Sequence, residues 1–294
     1  MRTTAFAPPF PTDLGTWLAA FRHRVTNARG HPSSPEQLGK QIGVSGATVR
    51  RWEAGRLRPR AEDAANLARA CNLTTMQVAF LSRALRTGGP MPVPDLDTFR
   101  RKATPILTGE FPTYIMDSLM FIRAWNSYLP RFLERKREGP HDYHFIDFII
   151  DTDEHAGVQP ALQQRVEFAA FELWFLTADA CGTSEYVALI NRLSKYEAFR
   201  ESWQRIPFLD EDECPEIGLP RRASRPDVGS CLIAPFAAIM PPVYQVRQFY
   251  PMDSAAQQRL HAIRSAGAPT MAFDTKSHWA QTADDEAFVR VGLS

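Results

Sequence analysis

Two helix starts and one helix stop fall close together in one string of the sequence, and this spacing restricts the local fold more than any other feature. Ser34 is an N-cap residue, followed by Pro at the first helical position and by Gln where a capping box needs it. Gly43 can end this helix in the left-handed conformation, and Ser45 caps the next one. The pattern predicts short helices over residues 35–42 and 46–54, joined by a turn of about three residues, which is the helix-turn-helix arrangement.

Three further helices are predicted around this pair. Asp13 caps the first, and two more follow the basic loop at residues 56–60. In each of them apolar residues recur at three- and four-residue steps and form one apolar face. These residues are Leu14, Leu18, Phe21 and Val25, then Ala64, Leu67, Ala68 and Cys71, and finally Met76, Phe80, Leu81 and Leu85. We therefore predict an all-α bundle of five helices within residues 1–86.

The string PEQLGKQIGVSGATVRRWEAGRLRPR resembles the Cro/lambda-repressor-like module of the xenobiotic-response-element (XRE) family of regulators. The resemblance extends over residues 14–85. It rests on the spacing of Leu38, Gly39, Ile42, Gly43, Val44, Ser45, Val49, Trp52, Glu53 and Gly55. Two departures stand out: Gly46 and Ala47 replace the long polar side chains of many relatives, and Pro35 replaces a common Gln. Double-stranded DNA is the partner that this resemblance implies.

The resemblance also implies how each side chain meets DNA. The second helix of the pair enters the major groove, where its first residues reach the base edges. Base contacts are expected from Ser45, Gly46, Ala47, Thr48 and Arg51, of which Thr48 and Arg51 read the sequence. Phosphate contacts are expected from Ser34, Arg50, Arg56, Arg58 and Arg60. Trp52 and Glu53 are expected to hold the fold rather than to contact DNA.

Charge is distributed unevenly along the chain and agrees with a polyanionic partner for its first part only. Residues 1–86 hold 13 Lys and Arg against 5 Asp and Glu, a net charge of +8, although the whole chain carries only +1. The remainder therefore carries −7. A basic block joined to an acidic one predicts that the first block faces nucleic acid. The alternative is a helical bundle with a solvated basic face that is used only for protein contact.

Residues 87–94, rich in Gly and Pro, are predicted to be a linker. After it, a helix capped by Asp97 precedes a β-hairpin that turns at Asp117 and Ser118, and Asn126 caps the helix that follows. Further helices are predicted over Pro160 to Cys181, Tyr186 to Leu193, Tyr196 to Trp203 and Ala255 to Ser265, and strands in GSCLIAPFAAIM and VYQVRQFY. This order predicts an α+β domain over residues 95–266, an antiparallel sheet covered by helices, and a tail over 267–294.

The second domain resembles the MmyB-like ligand-binding domain, a PAS-like sensor domain found behind XRE modules. Three strings carry the resemblance between residues 96 and 265: FPTYIMDSLMFIRAWN, YVALINRLSKYEAFRESW and RPDVGS. The resemblance implies a hydrophobic ligand such as a fatty acid. Such a site needs an apolar tunnel with a cation or donor at its mouth. The expected lining is Trp125, Phe168, Phe171, Trp174, Phe175, Ile190, Phe199 and Trp203, with Arg200 within the apolar stripe as the partner of a carboxylate.

Other interpretations of these residues remain open from the sequence. Aromatic side chains at helical spacing are more often ordinary core than ligand walls. Arg200 can equally pair with Glu197 or another internal acid. The string HDYHFIDFIIDTDEH gathers His and acidic residues, but the His-Glu-x-x-His motif is missing, so a solvated acidic segment is preferred to a metal site.

The remaining features exclude several classes of protein. No phosphate-binding loop, dinucleotide fingerprint, paired-Cys zinc motif or nucleophile elbow appears, so we expect neither an enzyme nor a cofactor other than a bound hydrophobic ligand. Four scattered cysteines predict reduced thiols. The start lacks the apolar run of a signal peptide and no stretch is long enough to span a bilayer, which predicts a cytoplasmic protein without membrane contact.

Three functional hypotheses follow from the sequence. The leading one is a homodimeric transcriptional regulator whose second domain senses a hydrophobic small molecule and thereby changes DNA binding. The second makes that domain a ligand-free dimerisation or partner-docking module. The third, a DNA-tethered hydrolase or metal enzyme, is disfavoured because no catalytic constellation is visible.

Overall fold

The computed structural model describes residues 10–27, 30–86, 96–134, 139–154, 159–225, 228–237 and 244–274. The predicted linker and the tail from residue 275 onward lie outside them. The helices, in chain order, are α1 (Leu14–Arg24), α2 (Pro35–Ile42), α3 (Gly46–Glu53), α4 (Ala61–Ala70), α5 (Thr75–Leu85), α6 (Leu96–Leu107), α7 (Tyr128–Phe132), α8 (Phe145–Glu154), α9 (Gln159–Leu176), α10 (Ser184–Leu193), α11 (Glu197–Arg205) and α12 (Ser254–Ser265). The strands are β1 (Thr113–Met116), β2 (Ile122–Asn126), β3 (Arg221–Arg225), β4 (Gly229–Ala237), β5 (Gln245–Pro251) and β6 (Met271–Phe273).

The chain forms two compact units, and each consists of two separate stretches of sequence. The helical unit comprises Met1–Pro90 and Gln163–Pro215, and the sheet unit comprises Met91–Leu162 and Glu216–Ser294. The sequence interpretation had assigned the whole of 95–266 to one domain. The structure instead groups helices α9 to α11 with the N-terminal bundle. Helical periodicity showed that these helices bury apolar faces, but not which surface they bury them against.

The first three helices begin where the sequence predicts, and α2 also ends where it predicts. The Asp13 carboxylate accepts a hydrogen bond from the Thr16 amide at 2.8 Å, which caps α1. The Ser34 hydroxyl accepts one from the Gln37 amide, and Gln37 Oε1 accepts one from the Ser34 amide at 2.8 Å, so the capping box of α2 is complete. Gly43 ends α2 at φ +79°, in the left-handed region. The predicted helix-turn-helix pair is therefore confirmed.

Large aromatic side chains from α1, α5, α9 and α11 meet in the core of the helical unit. Trp17 is fully buried, with ring centroids 5.4 Å from Phe80, 5.8 Å from Trp174 and 5.4 Å from Trp203. Phe80 stacks on Trp174 at 4.6 Å. Each such side chain buries about 150–250 Å², or about 4–6 kcal/mol at 25 cal/mol per Å². This cluster therefore joins the N-terminal bundle to the later helices.

Polar contacts hold the same two parts of the helical unit together. Arg83 of α5 donates to the carbonyl oxygens of Phe175 at 2.7 Å and Leu176 at 3.0 Å, which are the last carbonyls of α9. It also forms an ion pair with Asp179 at 2.6 Å. The buried amide of Gln77 donates to the carbonyl of Ile206 at 3.0 Å. Helix α9 thus ends on groups that α5 supplies, as orphan carbonyls require.

The sheet unit contains a six-stranded antiparallel sheet in the order β3-β4-β5-β1-β2-β6. The predicted β1–β2 hairpin forms, with Tyr114 opposite Trp125. Helix α6 covers one face, where Phe99, Ala103 and Leu107 pack against Ile115 and its strand neighbours. On β1, Tyr114 has ring neighbours from α8, at 5.9 Å and 5.6 Å. The predicted α+β class with an antiparallel sheet and helices is confirmed.

Some sequence predictions within the sheet unit were wrong or incomplete. Asn126 does not cap a helix: it lies in β2, where its side chain accepts from the Thr113 amide at 3.1 Å and donates to the Phe111 carbonyl at 2.8 Å. Strands β3 and β6 were not predicted, because Arg221–Arg225 is highly charged and Met271–Phe273 is too short for a periodic signal.

A charge cluster connects β2 with the end of β6 in this unit. Arg123 of β2 is 4% exposed and donates to Asp117 at 2.7 Å and to Asp274 at 2.8 Å.

Among the described residues, no helix combines the length and the apolar composition that a membrane crossing requires.

Candidate nucleic-acid interface

Helix α3 presents one face to the core and the opposite face to solvent. Val49 and Trp52 are 1% and 4% exposed and anchor the inner face. Ala47 and Arg51 lie on the exposed side, and Thr48 is half-buried. The residues predicted to reach base edges therefore include an outward-facing set at the start of this helix.

The start of α3 is fixed by its own cap. Ser45 Oγ accepts from the Thr48 amide at 3.1 Å and lies 2.9 Å from Thr48 Oγ1. The two hydroxyls thus form a pair at the N-terminal end of the helix. A hydroxyl in such a pair keeps one free donor or acceptor position for a further partner.

Helices α2 and α3 approach so closely that two glycines are required between them. A Cβ on Gly39 would lie 2.7 Å from the Val44 carbonyl oxygen, and a Cβ on Gly46 would lie 2.9 Å from Glu36 Cα. Gly46 was predicted as a base contact only. Its position shows a packing role as well, because any side chain there would push α3 away from α2.

The arginines predicted to contact DNA, Arg51 at a base and the others at phosphates, fall into two groups. Arg51 and Arg56 are exposed, and neither side chain has a hydrogen-bond or ion-pair partner in the part of the chain that the structure describes. Arg60 pairs with Glu62 at 3.2 Å in solvent. These three cations are available to a polyanion.

Arg50 and Arg58 are engaged with the protein, which the sequence did not indicate. Arg50 pairs with Glu36 of α2, and this contact lowers the pKa of the Glu36 carboxyl. Arg58 donates to the carbonyl oxygen of Ala84 near the end of α5. Ser34, the remaining predicted phosphate contact, is the half-buried cap of α2.

The end of α3 is held by two residues of α1 that the sequence interpretation did not assign to the site. Arg22 is 8% exposed and donates to Glu53 through Nε at 2.6 Å and through Nη2 at 3.1 Å, a two-pronged ion pair. A Cβ on Gly15 would lie 2.8 Å from the Trp52 carbonyl oxygen. The only sequence signal was an arginine among the apolar residues of α1. Glu53 therefore serves the fold, as expected.

The residues predicted to line a hydrophobic tunnel are divided between the two units. Trp125 lies on β2 of the sheet unit, next to Tyr143 at 6.2 Å. The other aromatic residues and Ile190 lie on α9, α10 and α11 of the helical unit. There Phe171 packs on Trp174 and Phe199 on Trp203, both at 5.2 Å. Phe168 and Phe175 are half-buried on α9.

The position predicted for Arg200, within a buried apolar stripe, is wrong. Its side chain is exposed and donates to the Ser194 carbonyl oxygen at 3.3 Å, so it does not lie within a buried apolar stripe. Helix α11 turns Phe199 and Trp203 inward, whereas Arg200, which follows Phe199 in the sequence, points to solvent. The buried apolar stripe of α11 is therefore narrower than predicted, and it does not include Arg200.

The cysteines form no disulfide in the described part of the chain. All four cysteines are free thiols, and burial raises the pKa of Cys71 and of Cys181 to about 12. Within the described ranges, no three His, Cys, Asp or Glu side chains come together as a metal site. His155 of the His-rich string lies outside those ranges.

Comparison with known families agrees with the geometry of α2 and α3. A family model described as a helix-turn-helix domain matches residues 13–81. A search among curated proteins gave no match. The matched residues include all of helices α1 to α4 and most of α5, together with the exposed face of α3. The chain therefore carries an N-terminal helix-turn-helix DNA-binding domain.

Proposed function

We propose that this protein is a sequence-specific transcriptional regulator of the XRE type, in which α3 enters the major groove. The observation that carries this proposal is the exposed start of α3, beside which Arg51 has no partner among the described residues. Arg51 has the length and fork geometry to bond a guanine through both O6 and N7. Thr48 and Ala47 contribute a hydroxyl and a methyl group to the same contact.

Phosphate contacts in this proposal come from the exposed arginines around α3. Arg56 is unpaired among the described residues, and the Arg60–Glu62 ion pair lies in solvent. An exposed ion pair is worth about 0–1 kcal/mol, so a DNA phosphate can displace such a carboxylate at low cost. The same reasoning gives Arg50 a phosphate contact after release from Glu36. Arg58 contributes less, because it also bonds the Ala84 carbonyl.

The test begins with selection of preferred duplexes from a random pool, followed by binding titrations at several salt concentrations. Arg51→Ala should weaken binding to the selected duplex by about 1–3 kcal/mol, or about 5- to 150-fold in affinity. It should also relax the sequence preference at one base pair. Arg69→Ala, an exposed arginine at the end of α4, is the matched control. Equal binding of Arg51→Ala and the control to the selected duplex would reject the proposed role of α3.

For the sheet unit we propose a hydrophobic-ligand sensor of the MmyB-like type that acts in a homodimer. The support is the resemblance of two of the three strings, one spanning the β1–β2 hairpin and one running from the end of β3 to the start of β4; the third string lies in the helical unit. The aromatic residues first predicted as its lining belong mainly to the helical unit, so the ligand would contact other side chains near Trp125. Mass spectrometry of an organic extract of the denatured protein tests this. Repeated extracts without a stoichiometric lipid would favour a ligand-free docking module.

A further inference from the structure

We infer that Trp174 of α9 is a positioning residue for DNA reading, although it lies outside the matched helix-turn-helix domain and far along the chain from it. This inference rests on the proposed reading role of α3. It assigns to residues 163–215 a share in sequence-specific binding, which nothing in the N-terminal sequence indicates. Three steps of contact carry it.

The first step joins α9 to α1 and α5. Trp174 is fully buried, stacks on Phe80 of α5 at 4.6 Å and lies 5.8 Å from Trp17 of α1. Trp203 of α11 also packs against α1, with its ring 5.4 Å from Trp17. Its Nε1 donates to the carbonyl oxygen of Pro11, just before α1, at 2.7 Å. Densely packed aromatic side chains have few alternative arrangements, so they fix the place of α1.

The second step joins α1 to the recognition helix. Gly15, two residues before Trp17, lies against the carbonyl oxygens of Trp52 and Glu53, with no room for a Cβ. Arg22, further along α1, donates two hydrogen bonds to the Glu53 carboxylate. A shift of α1 would therefore move the end of α3. A base contact from Arg51 depends on distances of about 3 Å, so even a small shift weakens it.

In the third step, α5 fixes the C-terminal end of α9 itself. Its last carbonyls are bound by Arg83, and the guanidinium of Arg83 also lies 5.4 Å from the ring centre of Phe175. The C-terminal end of α9, next to Trp174, is therefore fixed to α5 by polar contacts as well as by aromatic packing.

The test compares Trp174→Leu with Trp174→Phe, which keeps an aromatic ring. Dissociation constants for a selected and for a random duplex are measured at a temperature where both variants are folded. Trp174→Leu should lower the ratio of specific to non-specific affinity by about 3- to 30-fold, and Trp174→Phe should restore most of it. Leu193→Ala, a buried substitution on α10, is the control for loss of stability, and it should leave the ratio unchanged.

A second measurement uses the free protein and so does not depend on the proposed function. Hydrogen exchange of the amides in residues 50–57 should become faster in Trp174→Leu, but not in Leu193→Ala. An unchanged affinity ratio together with unchanged exchange would overturn the positioning role. Faster exchange without any loss in the ratio would overturn the link to DNA reading. A failure of the proposed function would appear separately, as unaltered binding by Arg51→Ala.

Discussion

Individual residues around α3 serve both the fold and the surface proposed to face DNA. Gly46 is the clearest case, since many proteins that resemble this module carry a long polar side chain there. In this chain the Glu36 backbone occupies that space, 2.9–3.0 Å from where a Cβ would lie. The first residue of α3 thus makes a close contact with α2 and carries no side chain. In the proposed complex with DNA, Thr48 and Arg51 would then supply more of the sequence preference.

Gly46→Ala should destabilise the helical unit by about 1–3 kcal/mol, because the added methyl group overlaps backbone atoms that cannot move independently. Ala47→Gln, a larger change at the next and exposed position, should cost little. Thermal unfolding of both variants provides the measurement. A Gly46→Ala protein as stable as the parent would show that α2 and α3 can separate freely.

Glu36→Gln should strengthen binding to any duplex by about 2- to 5-fold at low salt, since it removes a negative charge and frees Arg50. The slope of log affinity against log salt should steepen by about one, as expected for one more phosphate contact. Glu201→Gln on α11 makes the same change in charge and should have no such effect. A slope that stays the same would mean that Arg50 does not reach the DNA backbone.

At the scale of elements, α9 depends on a neighbour for its C-terminal end. No glycine stop follows Leu176, and the Arg83 side chain binds the last carbonyls instead. Arg83→Met keeps much of the side-chain volume but leaves these carbonyls without their donors, which should cost about 1–3 kcal/mol. Arg69→Met is the control. Urea unfolding of the two variants should differ by that amount, and equal midpoints would refute the capping role.

Helix α12 has a cap whose effect depends on pH. The Asp253 carboxylate accepts from the Ala256 amide at 2.9 Å and from the Ser230 amide at 2.6 Å, and these bonds lower its pKa below the ordinary value of 3.8. A lowered folded-state pKa means that the unfolded chain takes up this proton first. The stabilisation is therefore complete well above pH 3.8 and is lost as the pH falls towards the folded-state pKa.

Asp253→Asn should consequently reduce the loss of stability on acidification while keeping most of the cap at neutral pH, because Asn is also a good N-cap residue. Urea midpoints of the sheet unit between neutral pH and about pH 3 measure this. Asp212→Asn, which alters an exposed carboxylate of the helical unit, is the reference. The prediction fails if both variants lose stability in parallel with the parent protein.

At the scale of the whole molecule, the DNA-binding unit is assembled from two stretches of chain with 72 residues of the sheet unit, Met91–Leu162, between them. The matched family model ends at residue 81, so it describes only part of that unit. Without residues 163–215, Trp17 would lose its contacts with Trp174 and Trp203, and Phe80 would lose its stacking on Trp174. Even half of their burial is worth about 4–6 kcal/mol, comparable with the total stability of a small domain.

A fragment of residues 1–90 should therefore be unstable, whereas the same fragment joined to residues 163–215 by a flexible linker should fold cooperatively. Circular dichroism melting curves and binding of a hydrophobic dye can distinguish the two proteins. The double substitution Trp17→Leu and Phe80→Leu should reduce the apolar surface that the short fragment exposes, and with it the binding of the dye. A short fragment that melts as sharply as the joined protein would contradict the shared core.

The sequence by itself determined the local structure of the first three helices, because their signals act within one turn. Ser34, Gly43 and Ser45 set helix ends through bonds to backbone groups three or four residues away, and no distant contact is needed for that choice. The exposed position of Arg51 followed from the same periodicity once Val49 and Trp52 were placed inside. The β1–β2 hairpin was predicted for a similar reason.

Only the tertiary structure decided where the apolar faces of α9 and α11 are buried. A stripe such as Phe171, Trp174, Phe199 and Trp203 is equally compatible with a ligand tunnel and with a core, because burial of apolar surface has no direction and does not specify a partner. Three arginine contacts likewise depend on residues distant in sequence. These are the ion pair of Arg50 with Glu36, the hydrogen bond of Arg58 to Ala84 and the ion pair of Arg22 with Glu53. Propensity and periodicity fix elements, whereas packing between elements fixes their partners.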